Sequence, residues 1–347
     1  MIMATVAYLL GAGASAQCIP VVNGMEEDIL KLTEEIGSRF SVSEEDIMGY
    51  RRILHSDVLE KVQNVLKDLS LVCKKHYSID TYAKKLFITD AVKFKQLKLD
   101  LSLYFTLRQM VTGPDKRYDN FFSSILTAQK KLPKKIKIVS WNYDFQIEKS
   151  YLEFDIGSDI KQARELLGMN SPKDWASQNV YANKFNIIKM NGSAIIKTDD
   201  HHGYLFEGLL KENTTDIEQI VQRYFSIIES KKEYECELKF AWENEHYETL
   251  FAAAKADLAS IEVLVVIGYS FPFFNRDVDK KLFDCMPILD KIYIQDIIPE
   301  NIKETMIEFV ELDRNFPNEI DIILKRNIDQ FVFPKELEVT ERTLKDL

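Results

Sequence analysis

A short apolar run, Val6-Ala7-Tyr8-Leu9-Leu10, opens directly into Gly11-Ala12-Gly13-Ala14-Ser15-Ala16. A strand that empties into a glycine turn at the start of the chain points to folds in which that strand's carboxyl end carries a ligand. Two glycines let the backbone approach a pyrophosphate, and Ala16 fits the third place of the G-x-G-x-x-G/A pattern. A helix after the turn would aim free N–H groups at the anion. Alone the pattern has little specificity. It gains force from three distant segments able to complete one pocket: Ser140-Trp141-Asn142-Tyr143-Asp144, Met190-Asn191-Gly192-Ser193 and Gly268-Tyr269-Ser270-Phe271.

Further runs at 136–140, 187–190, 263–268 and 292–295 are short, rich in β-branched residues and followed by polar or glycine-containing turns. Apolar character without alternation belongs to strands buried on both faces of a parallel sheet. The polar signatures stand at the carboxyl ends of these runs, the edge where open α/β sheets bind ligands. The expected fold class is therefore α/β, a Rossmann-like, mainly parallel sheet flanked by helices. Residues 25–130 hold almost no glycine, and Ile47, Tyr50, Leu54, Val58, Val62 and Leu66 keep helical spacing, a rhythm repeated over 79–92. A large helical insertion is the simplest account. A second insertion at 150–185, with Gly168, Pro172 and Trp175, mixes helix and loop. Helices are expected at 216–230, at 247–260 and from Pro299. The chain then divides into a Rossmann-like domain over 1–300, carrying both insertions, and a helical tail over 301–347 packed on the core.

With 347 residues and 46% hydrophobic side chains, the chain has material for a sizeable core. Its 45 Lys and Arg are interspersed among 55 Asp and Glu, so the overall field does not suggest a nucleic-acid groove. Cys18, Cys73, Cys236 and Cys285 lie too far apart for a zinc ribbon or a local disulfide scaffold and read as reduced core thiols. No segment approaches the roughly 20 apolar residues of a membrane span. The amino terminus also lacks the basic start of a signal peptide, so cytoplasmic residence is expected. No clustered His, Cys and carboxylate set calls for a metal. A P-loop NTPase is excluded by the absence of G-x-x-x-x-G-K-[S/T]. A Rossmann oxidoreductase is disfavoured because Glu26, Glu27 and Asp28 fall in a helical pattern, where a ribose-binding acid after the second strand is needed.

Asn142 and Asp144 could converge on a polar ligand group, or both could cap the next helix. The Asn191-Gly192 pair could be a tight turn, and Gly268-Tyr269-Ser270 a plain strand exit. All four turns nevertheless occupy the same structural position.

The order Gly-Ala-Gly-x-Ser, x-x-Asn-x-Asp, x-Gly-Ser and Gly-x-Ser resembles the sirtuin-like superfamily, in particular its bacterial antiphage-defence branch of NAD-degrading effectors. Ile19-Pro20 is similar to that family's Ile-Pro pair. Gly268-Tyr269-Ser270-Phe271 and the Ser78-Ile79-Asp80-Thr81 helix start resemble the defence proteins more than the deacylating sirtuins. The resemblance implies that Gly11, Ala12, Gly13 and Ser15 cradle the pyrophosphate and neighbouring ribose. It implies that Asn142 positions the nicotinamide ribose and an attacking water, and that Asp144 bonds the carboxamide. Gly268 and Ser270 would contact phosphates and the adenosine ribose, Gln295 and Asp296 would sit near the adenosine, and Gly192, Ser193 and Tyr269 complete the dinucleotide-binding set. The implied activity is NAD glycohydrolysis in antiphage defence, with NAD as substrate and no metal. A homo-oligomer, or a second protein such as an ATPase or sensor subunit, would regulate it.

Two departures stand out. The family's base, a His before Gly-Ser, is Asn191 here, and an amide cannot accept a proton near neutral pH. Either hydrolysis proceeds through Asn142 and a bound water, or the chain is a non-catalytic NAD or ADP-ribose sensor; His201 and His202 are candidates for a relocated base. The four-cysteine zinc module and acyl-lysine channel of a deacylase are also missing, which disfavours deacylation.

Overall fold

Each of the five runs is too apolar for either face to meet solvent, so the chain stacks them into one sheet and covers both sides. The computed structural model describes residues 4–40, 56–170, 184–198, 217–230, 233–243, 247–310 and 320–337. In chain order the strands are β1 (Val6–Leu10), β2 (Ile136–Ser140), β3 (Met169–Asn170), β4 (Asn186–Lys189), β5 (Ile196–Thr198), β6 (Tyr234–Cys236), β7 (Val263–Ile267), β8 (Lys291–Gln295) and β9 (Asp321–Lys325). Among the described residues β3-β4-β2-β1-β7-β8-β9 form a seven-stranded sheet in that order, with every neighbouring pair parallel. Without the two-residue β3, the order counted along the chain is 3-2-1-4-5-6, that of a doubly wound Rossmann-like sheet. The winding reverses between β1 and β7, and there the crevice at the carboxyl edge opens. β5 and β6 pair separately and antiparallel.

The helices are α1 (Met25–Phe40), α2 (Ser56–Lys75), α3 (Ile79–Thr89), α4 (Ala91–Val111), α5 (Lys116–Ile125), α6 (Gln146–Leu152), α7 (Ile160–Leu166), α8 (Ile217–Ser230), α9 (Tyr247–Leu258), α10 (Arg276–Asp284) and α11 (Pro299–Phe309). On one face of the sheet Ala7, Leu9, Val139 and Leu264 pack against α9, α10 and α11. On the other Val6, Tyr8, Ile138 and Val265 pack against α5, α6 and α7. Helices α1 to α4, with α8 and the β5–β6 pair, close a separate core around Leu32, Leu66, Leu103 and Tyr224. Helix α4 runs through it buried on nearly all sides; Lys98, Arg108 and Gln109 find partners, while the Ser102 and Thr106 hydroxyls have none among the described residues. Arg108 meets Asp28 at 2.7 Å and Glu35 at 3.0 Å, tying α4 to α1.

The α/β class and the helical insertion are as the sequence indicates, but several local expectations are corrected. The glycine turn is not followed by an α-helix. Two 3₁₀ turns, Ala12–Ser15 and Val22–Gly24, come first, and α1 starts only at Met25. The rhythm over 79–92 hides a break at Asp90, which ends α3 by leaving helical backbone and caps α4 by accepting the Lys93 N–H. The tail expected to be helical supplies edge strand β9 instead, because its β-branched run pairs with β8. Strands β3, β5 and β6 are too short for periodicity to mark. Ile47, Tyr50, Leu54, Pro172, Trp175, His201 and His202 lie outside the described residues.

Candidate functional site

Sheet register brings the turns together. Leu10 pairs with Ser140 and with Ile267, Ser140 with Lys189, and Ile267 with Gln295, so the five strands end level. Gly11, Trp141, Met190, Gly268 and Asp296 therefore leave the sheet along one edge. Between them and the helical insertion lies a cleft of about 360 Å³, within the size range of small-molecule sites. Gly11, Ala12, Gly13, Ser15, Asn142, Asp144, Asn191, Gly268, Tyr269, Ser270 and Asp296 all line it, as do Ile19 and Pro20.

Asn142 is not a helix cap. Its Nδ2 donates to the Gly11 carbonyl at 2.9 Å and to Ser15 Oγ at 3.3 Å, and since a carbonyl can only accept, the amide orientation is fixed. Oδ1 has no partner among the described residues and belongs to the cleft. Asp144 does cap locally, Oδ1 accepting the Gln146 N–H at 3.1 Å. Burial pushes its carboxyl above the usual range, opposed by the Lys189 ammonium, the Gln146 N–H and the Ser15 hydroxyl. Lys189, fully buried, donates to the carbonyls of Asn142 and Asp144 at 3.1 and 2.7 Å, fixing the loop from behind. Gln109 on α4 accepts the Phe145 N–H at 2.6 Å, and Gln146 accepts the Asp115 N–H at 2.7 Å, so the insertion also holds this loop. Asp115 grips Arg117 through two contacts, at 2.9 and 2.6 Å, and Arg117 donates to the Gly13 carbonyl at 3.0 Å.

Asn191 is engaged at both ends. Tyr247 donates to Oδ1 at 3.1 Å, and Nδ2 donates to the Tyr143 hydroxyl at 3.3 Å. Gly192, Ser193 and Gln295 are brought near the edge but do not line the cleft. Gly192 adopts φ +68° against the Glu237 backbone, Ser193 accepts from Arg164 at 2.9 Å, and Gln295 ties down the carboxyl-terminal segment through Asn327, Gln330 and Val332.

The glycines of the first turn are needed for packing between two loops. Gly13 N–H donates to the Gly268 carbonyl at 2.9 Å, and a Cβ on Gly268, at φ +56°, would stand 2.4 Å from Gly13 Cα. Both obstacles are backbone and cannot rotate away. Gly268→Ala is accordingly expected to cost about 1–3 kcal/mol through strain at this position, read as a lower urea midpoint. An unchanged midpoint would show that the two loops separate freely.

The insertion supplies the outer wall, including Ile79, Asp80, Leu101 and Phe105. Sequence reasoning did not assign roles to Asp80, Phe105, Tyr143 or Tyr247. Asp80 reads locally as an ordinary first-turn acid, and the tyrosines lie on opposite flanks of the sheet edge; only the packing joins them. Among the described residues no group of three His, Cys, Asp or Glu side chains is placed to hold a metal ion. No described helix is long and apolar enough to cross a membrane. The fold defines a Rossmann-like α/β protein with a cleft at the switch point of its sheet. Neither protein-family models nor curated proteins match the chain.

Proposed function

We propose that the chain is an NAD glycohydrolase, releasing nicotinamide and ADP-ribose, and that it acts as an NAD-depleting effector in antiphage defence. The observation that carries this reading is the convergence of Gly11, Asn142, Asn191 and Gly268, from four distant segments, on one cleft at the reversal of the sheet. Gly11 to Ser15 would follow the pyrophosphate. Asn142, its donors committed to Gly11 and Ser15, would turn Oδ1 to the nicotinamide ribose and a water. Asp144 would bond the carboxamide, while Ser270 and Asp296 would reach the adenosine side. Nicotinamide is a good leaving group once the ribosyl carbon becomes oxocarbenium-like, so orientation and fixed dipoles carry most of the catalysis. In this reading the protein is cytoplasmic, and a homo-oligomer or a second subunit orders the pocket.

A second reading, a non-catalytic NAD or ADP-ribose sensor, is favoured by Asn191, whose amide is held between Tyr143 and Tyr247 and takes no proton. Calorimetry with NAD in the presence of EDTA should give binding in the cleft, and nicotinamide assay of the same sample should give turnover. Binding without turnover in every assembly state selects the sensor. No binding at millimolar NAD removes both.

A further inference from the structure

Resting on the glycohydrolase reading, we propose that Asp80 is the general base this cleft has in place of a histidine, accepting the proton of the water that attacks the nicotinamide-bearing ribosyl carbon. Three acids line the cleft. Asp144 accepts the Gln146 N–H and Asp296 the Ile298 N–H. Asp80 has no hydrogen bond or ion pair with any described residue. It is not needed to start α3, because Ser78 already caps that helix by accepting the Thr81 N–H at 3.1 Å. An unpaired carboxylate in the wall of a cleft costs stability unless it serves a ligand.

Burial without a compensating partner pushes Asp80 up to about 6. It is then ionised at neutral pH, yet more basic than a solvated carboxylate and closer to the value a base needs. The titratable and charged groups around Tyr143, which lines the cleft with Asp80, leave that titration to it. The Tyr143 and Tyr247 phenols are raised far above their ordinary value by burial, and Asp80 itself adds to the rise at Tyr143, so both hydroxyls keep their protons. Lys98 is paired with Glu243, and Lys84 lies over the Phe87 and Trp242 rings. Among the described residues no histidine lines the cleft. In the step itself the water oxygen bonds to C1′ as the C1′–N1 bond breaks. The bonding pair returns to the pyridinium ring, so nicotinamide leaves neutral, and the water proton passes to Asp80 and then to solvent.

The test uses the full chain with NAD. Wild type should show an acid limb in kcat/KM near pH 6. Asp80→Asn should lower nicotinamide release by about 10²–10⁴-fold, the usual contribution of a positioned base. It should also lose the acid limb, bind NAD within a few fold of wild type by calorimetry, and melt no lower than wild type, since an unpaired, partly buried charge has been removed. Asp80→Ala should regain turnover with added formate. Wild-type turnover in Asp80→Asn overturns the proposal, and so does a loss of turnover accompanied by lost NAD binding and a lower Tm, which marks a merely structural acid. A wild-type chain that binds NAD but releases no nicotinamide removes the glycohydrolase reading itself, an outcome distinct from an active wild type with an indifferent Asp80.

Discussion

Asn142→Ala is expected to lower nicotinamide release by about 10²–10³-fold, close to 2.7–4 kcal/mol of transition-state stabilisation, the loss typical of removing one preorganised polar group. The side chain is held before any ligand arrives. Its Nδ2 bonds to Gly11 and Ser15 come from residues that themselves line the cleft, so Oδ1 is oriented without reorganisation. Truncation also strips a donor from the Gly11 carbonyl, at a structural cost of about 1 kcal/mol. The two effects separate in measurement: the kcat loss should far exceed what the shift in urea midpoint explains. Asn142→Asp tests the same geometry differently, because a carboxylate cannot donate to the Gly11 carbonyl. Nicotinamide release unchanged by Asn142→Ala would place the chemistry elsewhere in the cleft.

The sheet was legible because its strands announce themselves locally. Val6 to Leu10, 136–140 and 263–267 are buried along their whole length, and such runs need no partner information to be read as strands. The glycine and asparagine turns were legible for a related reason, since each follows its strand without a gap. What sequence order withheld was the use made of each residue. Gln295 closes a strand like the others, yet its amide holds the carboxyl-terminal segment. Strand β9 was hidden in a charged tail, because its residues are only partly buried and edge pairing leaves a weak pattern. Asp80 reaches the cleft from a helix 62 residues before Asn142. Its helix start, Ser78 to Thr81, stood out in the sequence only by resemblance, and no role for Asp80 followed from it, because what distinguishes this acid is the lack of a partner among the described residues, visible only after folding.

The support behind Asn191 illustrates the same limit on a larger scale, and Arg164→Met is expected to destabilise the protein by about 3–5 kcal/mol, the cost of leaving buried charges unpaired. Arg164, on α7, donates to Glu237 at 2.8 Å, to Ser193 at 2.9 Å and to Glu148 at 3.5 Å. Glu148 and Glu237 are almost wholly buried. The arginine thereby clamps the chain after β6 onto the Asn191 loop, where the Lys239 N–H donates to the Asn191 carbonyl and Gly192 leaves no room for a side chain against Glu237. Burial already raises the Glu148 carboxyl above its ordinary value, against the pull of Lys189 and Arg164. Removing the arginine raises it further. A carboxyl whose folded value lies above its unfolded one makes the folded state bind more protons, so stability falls as pH rises through that window. The deficit of Arg164→Met relative to wild type should therefore be larger at pH 8 than at pH 5, measured by urea unfolding at each pH. A deficit that stays constant or shrinks with rising pH would show that Glu148 is not left charged and unpaired. Because the clamp sets the position of Asn191 between Tyr143 and Tyr247, the variant's remaining folded fraction should also bind NAD more weakly, with the loss following the cleft rather than the sheet.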